Sequence, residues 1–183
     1  MFRIFFLVLT LISTQAYATD WVVRPQDSKL GFFASQGGAE FEGKFNKFDS
    51  DISFDPENLA QSSVKIVIYI ESVDTQSADR DSNIVTEDWF NTKTYPTALF
   101  EVKNISKDDT AGYIADAELT MRGVKKDVKL PFSVEIEGNH AHAKGELVVS
   151  RTAFGLGQGQ WASTAFVGDE VRIFFDLNTD AKS

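Results

Sequence analysis

The stretch Val128-Lys129-Leu130-Pro131-Phe132-Ser133-Val134-Glu135-Ile136-Glu137-Gly138-Asn139-His140-Ala141-His142-Ala143-Lys144-Gly145-Glu146-Leu147-Val148-Val149-Ser150-Arg151 decides the fold. Val128, Leu130, Phe132, Val134 and Ile136 alternate with Lys, Pro, Ser and Glu, the two-residue period of a strand with one face buried. Gly138-Asn139 turns the chain back. Ala141, Ala143, Gly145, Leu147, Val149 and Arg151 then share the inner phase of a second strand, so the pair is a long antiparallel hairpin with small residues and one arginine facing in.

The same period runs outward in both directions. Toward the amino end, Leu30 and Phe32 share a face, and Phe41, Gly43 and Phe45 oppose Glu40, Glu42, Lys44 and Asn46. Gly43 inside that strand predicts a bend of the kind a barrel corner needs. Ser63 to Val73 is the most hydrophobic strand, with Val64, Ile66, Ile68 and Ile70 in one phase. Leu99 to Ile105 and Tyr113 to Met121 follow, the latter with Ala115, Ala117 and Leu119 in phase, and Val171 to Leu177 ends the pattern. Trp21 to Pro25 reads as a short edge strand, because proline cannot donate to a ladder. Many alternating antiparallel strands predict an all-β fold, a closed or nearly closed barrel that leaves few free edges. A two-sheet sandwich stays open, since periodicity alone does not show closure.

One long segment, Asp74 to Phe100, breaks the period and reads as a plug or lid over the barrel. A helical insertion over about 78–92 is expected, in which Thr86 caps a second short turn and Glu87 and Asp88 meet the positive end of its dipole. Trp89 and Phe90 point their rings back to the barrel, and Tyr95-Pro96 returns the chain to extended geometry.

At 183 residues the chain fits one domain, 19–183, behind a leader. Arg3, the apolar run Ile4 to Ile12 and Ala16-Tyr17-Ala18 have the order of a signal peptide cleaved after Ala18, which predicts export to the periplasm. The run is shorter than the ~20 residues that span a bilayer. Without Arg3, 17 basic side chains face 27 acidic ones, a formal charge of −10 that disfavours nucleic acid as partner. Cysteine is absent, which removes thiolate metal sites and cysteine nucleophiles.

Catalytic patterns are thin. His140 and His142, the only histidines, share a face, but it is the outward one, and a zinc site needs further ligands. Neither a serine elbow nor a triad can be assembled, so no catalytic or metal residue is assigned. Gly155, Gly157 and Gly159 lack the context of a phosphate loop and read as a flexible rim that dips Phe154 and Trp161 across the mouth. The carboxylates Asp79, Asp81 and Asp88 keep a hydrolase reading open, since acid/base work takes such a pair. Arg151, facing in, needs a partner. It either pins the plug through Asp79, Asp81 or Asp88, or meets a ligand head group, or is turned out by a bulge.

The aromatic residues carry the main functional reading. Phe41, Phe45, Phe100 and Phe132 on the strands, Trp89 and Phe90 on the plug, and Phe154 and Trp161 on the rim could fill a small barrel solidly. Glycines and alanines beside those rings argue instead for a tube, with Ile68, Leu119, Val134 and Arg151 completing a ligand-binding wall. A solid interior would make the protein a structural or interaction module.

Taken in order, Trp21-x-x-x-Pro25-x-x-Ser28, Gly43-x-Phe45-x-x-Phe48, Asp74-Thr75 with Arg80-Asp81, Asp88-Trp89-Phe90 before Tyr95-Pro96, Leu119-Thr120-x-x-Gly123-Val124, Arg151-x-x-Phe154-Gly155 and Val167-Gly168-Asp169-Glu170-Val171 resemble the YceI-like family of exported lipocalin-like proteins. The chain departs from that pattern at Asn83, where a histidine is expected, and at Trp89, which replaces one of two phenylalanines. The resemblance implies a lipocalin-like barrel of about eight strands around a long apolar molecule: a polyisoprenoid, a quinone tail, or a fatty amide or acid. The expected function is therefore a periplasmic carrier and not an enzyme, with no cofactor beyond the bound lipid. Chain length and shape are expected to select the ligand more than its head group. Transient contact with a membrane or a membrane redox protein, and pairing of two barrels, are the remaining partner expectations.

Overall fold

The alternating runs become eleven strands in the computed structural model, which describes residues 18–182; the leader therefore lies outside the described residues except for Ala18. They are β1 (Thr19–Val23), β2 (Lys29–Gln36), β3 (Ala39–Phe45), β4 (Phe48–Phe54), β5 (Ser63–Tyr69), β6 (Val73–Asp74), β7 (Thr97–Asp108), β8 (Gly112–Met121), β9 (Val124–Glu137), β10 (His140–Ser150) and β11 (Glu170–Ala181), with one helix, α1 (Ala78–Ile84). Strands β1, β4, β5, β7, β8, β9, β10 and β11 pair in that order, and β1 pairs with β11 to complete an eight-stranded antiparallel barrel. Closure excludes the sandwich.

Three walls are broken mid-way. β1 and β2 follow one another along the first wall, β3 and β4 along the second, β5 and β6 along the third, and β2, β3 and β6 extend the sheet from β11. Pro25 opens the single turn Pro25–Asp27 that makes the first break. Trp21 to Val23 nevertheless lies between β4 and β11, so the expected edge strand is the seam of the barrel. The proline sits just past the last ladder bond, the Arg24 amide to the Asn178 carbonyl at 2.8 Å, and costs the sheet nothing.

Gly43 is set opposite Phe32, and a Cβ there would lie 2.4 Å from that ring. Its absence lets the ring lie across the wall, as aromatic side chains do over strand glycines. On the outer surface of β7, β8 and β9, Lys103 meets Glu118 and Asp127, and Lys125 meets Glu118. Such exposed pairs contribute little stability each, but they keep this face in water.

The two ends differ. At one end, tight connections leave an aromatic floor: the Trp21 indole N–H donates to the Phe54 carbonyl at 3.2 Å, and Phe54 packs edge-on against Tyr113, which stacks on Phe132. At the other end emerge the plug, 75–96, and the loop 151–169 between β10 and β11. The helix of the plug is shorter than the sequence suggests, ending at Ile84 and continuing as hydrogen-bonded turns to Phe90. Thr86 explains the difference. Its hydroxyl donates back to the Asn83 carbonyl at 2.6 Å, closing the end of α1 where it was expected to open a second turn. Ser77 is the cap at the start of α1, accepting from the Arg80 amide.

Candidate functional site

Inside the barrel lies a cavity of about 560 Å³, in the range of small-molecule sites. Ala98, Ala115, Ala141 and Ala143 take up little of the inner surface, and the rings of Phe45, Phe100, Phe132 and Phe175 stand against the cavity. Those inward rings keep partial exposure although they pack against the buried core cluster, as side chains do when they border a void. Of the expected wall, Phe41, Phe45, Ile68, Trp89, Phe90 and Phe100 line the cavity, as do Leu119, Phe132, Val134, Arg151 and Trp161. Phe154 does not. The turn Thr152–Phe154 carries its side chain away from the cavity into the core, where it is 1% exposed.

Polar lining is concentrated on α1, where Ser77, Asp79, Arg80 and Asn83 face the cavity. The segment is anchored before it starts: Thr75 donates through its amide (2.9 Å) and hydroxyl (2.6 Å) to the Asp81 carboxylate. Arg80 returns to the Thr75 carbonyl at 2.9 Å and lies over the Phe41 ring at 4.3 Å. Asp81 is thus engaged by Thr75 at the base of the plug. The lid proper is bounded by two non-glycine residues in left-handed conformation, Gln76 (φ 59°) and Asn91 (φ 52°), a backbone geometry that is uncommon outside glycine.

Arg151 is the most buried charged residue among the described residues, 2% exposed. Its partner is no carboxylate of the plug. The guanidinium donates to the backbone carbonyls of Gly168 (2.9 Å), Leu156 (2.8 Å), Trp161 (3.0 Å), Ser163 (3.2 Å) and Val167 (3.0 Å), all in its own loop. Burial pushes the group below its ordinary pKa, and nearby Asp169 offsets part of that. One of the glycines that read as a flexible rim makes this possible: a Cβ on Gly157 (φ 78°) would lie 2.0 Å from Arg151 Nη1. The loop is wound around a cation.

That loop in turn holds the lid. The amides of Gly157 and Gln158 both donate to the Asp88 carbonyl, at 2.8 and 2.7 Å, while Arg122 Nη2 donates to the Glu87 carbonyl at 2.8 Å. Trp89 follows directly, between the Arg151 guanidinium 5.2 Å from its ring and Trp161 at 6.0 Å. Sequence reasoning missed Arg122, whose only signal was its place in a tight turn before Gly123. It also missed Asp169, whose carboxylate accepts from the Thr152 hydroxyl (2.7 Å) and amide (3.1 Å).

Those bonds, the Thr152 hydroxyl first, hold the Asp169 carboxyl below its usual range. A depressed folded-state pKa contributes stability that is complete above the unfolded value of about 3.9 and is lost as pH falls through the folded value. Below about pH 4 the loop is expected to loosen, seen as a change in Trp161 emission. Asp169→Asn should be less stable at neutral pH and lose less on acidification.

The histidines stand on the outer face, His140 against Asp180 and His142 against Asp176. Among the described residues no group of three or more His, Cys, Asp or Glu is placed to hold a metal ion. No helix among them is long and apolar enough to cross a membrane.

Comparison with known proteins identifies the architecture. The YceI-like domain pattern matches residues 21–179. The chain belongs to the YceI-like family. Among solved structures, BcnA of Burkholderia cenocepacia superposes with a TM-score of 0.82 at 33% identity, covering 86% of this chain and 99% of that one. A polyisoprenoid binding domain from Saccharophagus degradans, implicated in plant cell wall breakdown, shares the fold at a TM-score of 0.70 and 18% identity, over 90% of this chain and 99% of that one. A UPF0312 protein of Photorhabdus laumondii is 38% identical over 96 residues, 52% of this chain and 50% of that protein. The chain thus aligns with about half the length of the curated relatives it matches.

Proposed function

We propose that this YceI-like protein is an exported, periplasmic carrier that holds one long apolar molecule inside the barrel and performs no chemistry on it. The observation that carries the reading is the continuous apolar cavity of about 560 Å³ under a lid. Taking one methylene to occupy about the 30 Å³ that a water molecule occupies in the liquid, it admits a chain on the order of 20 heavy atoms. Removing such a chain from water supplies roughly 0.8 kcal/mol per methylene. A polyisoprenoid is the class that the Saccharophagus degradans domain brings to mind for this fold; a quinone tail or fatty amide or acid offers the same driving force. The apolar leader and Ala16-Tyr17-Ala18 support export. A membrane, a membrane redox protein or a second copy of the chain are the partners proposed for loading and unloading.

Two measurements test this. Protein purified from cells with its membranes intact should release an apolar compound on solvent extraction, identified by mass spectrometry. Stripped protein should bind linear alcohols of increasing length about fourfold more tightly for each added methylene, until the chain exceeds the cavity. Consistent absence of any extractable apolar compound, together with no uptake, would sink the carrier.

A further inference from the structure

The loop wound around Arg151 turns backbone carbonyls inward to the guanidinium, which leaves its exposed side chains free to be charged. None of them is. From Ala153 to Gly168 the chain runs without an acid or a base, although 25% of the whole sequence is charged. Gln158 to Gln160 and Ala162 to Phe166 are exposed, and Phe166 stands 55% exposed. It is held there. Its carbonyl accepts from the Gly37 amide at 2.7 Å, Val167 bridges to Gln36, and the Gly168 amide donates to the Ser35 carbonyl at 3.0 Å. Those bonds seat the ring beside the tip of the β2–β3 hairpin, where a Cβ on Gly37 would lie 3.5 Å from it. Gly37, Gly38 and Ala39 are exposed and uncharged as well, and the first charge beyond them, Glu40, faces Arg172 at 3.5 Å. Gln36, Trp161 and Val167 line the cavity, so this rim borders its mouth.

Resting on the carrier reading, we propose that Phe166 and the uncharged rim around it are the surface by which the mouth touches a zwitterionic lipid bilayer to load and unload its cargo. A protein partner is recognised through charge and about one hydrogen bond per 100–200 Å² of contact. Here small uncharged residues surround one fixed ring, a surface that the headgroup boundary accepts without specific bonds. The 27 acidic against 17 basic side chains beyond Arg3 disfavour an anionic lipid surface. Cargo passing over this threshold moves from lipid to cavity without crossing open water.

Two readouts test the contact. With vesicles of phosphatidylcholine brominated near the glycerol end, the emission added by Phe166→Trp should be quenched, and less so when anionic phosphatidylglycerol is mixed in. A long linear tetraene alcohol, fluorescent along its chain, should pass from loaded protein to phosphatidylcholine vesicles at a rate that rises with vesicle concentration, as transfer by contact does. From Phe166→Asp it should pass about tenfold more slowly, with equilibrium affinity for the alcohol unchanged. Should Phe166→Asp lose the fold, Phe166→Ser takes its place. Absence of quenching overturns the proposal, as does a rate independent of vesicle concentration or undiminished in the variant. Dimers that Phe166→Asp dissolves, with no quenching by vesicles, make a second copy the occupant and overturn it too. If stripped protein takes up no alcohol at all, the carrier reading falls, and the quenching still decides whether the rim meets lipid.

Discussion

Arg151→Met is expected to destabilise the protein by about 3–5 kcal/mol, the range for breaking a buried charged network by removing one partner. Methionine matches the length and removes every donor, so the carbonyls of Leu156, Trp161, Val167 and Gly168 are left facing an apolar side chain. Each carbonyl without a partner costs about 1–3 kcal/mol unless water reaches it, and water reaches it only if the loop opens. The expected signature is a lower urea midpoint, with fast amide exchange over 152–169 and a red-shifted Trp161. Arg151→Lys should recover only part of the loss, because an ammonium has three donors at one point and the guanidinium has five in a plane. A loss below about 1 kcal/mol for the methionine variant would mean that these contacts do not hold the loop.

Ala143→Trp is expected to abolish uptake of long apolar chains while leaving the barrel folded. Ala143 lines the cavity between Val134 of β9 and Leu177 of β11, both of which also line it. An indole there enters open volume rather than packed core, so the overpacking cost usual for small-to-large changes is largely avoided. Excluding about five methylenes removes roughly 4 kcal/mol of transfer free energy, about a thousandfold in affinity. Calorimetric titration of stripped protein measures it, with the melting temperature as control. Unchanged affinity would place the bound chain outside the barrel.

How much of this was legible in the sequence follows from which interactions leave a mark there. The two-residue period fixes side-chain direction, so the inner phase of Ala141 to Arg151 and the outward histidines could be read directly. The interruption at 74–100 was equally plain, because nothing in it alternates. Closure was not, since β1 meets β11 across almost the whole chain and no local pattern encodes that pairing. Arg151 shows a second limit. A search for its partner looks for acidic side chains, while the structure answers with main-chain carbonyls, which every residue has. Their trace was Gly157, one of three left-handed glycines at 155, 157 and 159 that look like looseness until the cation is seen against it. Phe154 misled because the turn before it reorients the ring, a change of direction that residue type does not record.

The lid is fastened through the carbonyls of Glu87 and Asp88, not through their side chains. The side chains of Glu87 and Asp88 are thereby spared that task, which at the start of the segment falls to the Asp81 carboxylate and the Arg80 guanidinium. Substitutions on its inward surface, at Trp89 or Phe90, then change the lining of the cavity while the backbone bonds that seat the segment remain. Divergence among related barrels then needs only a few exchanges on one short segment, with the scaffold that seats it left untouched.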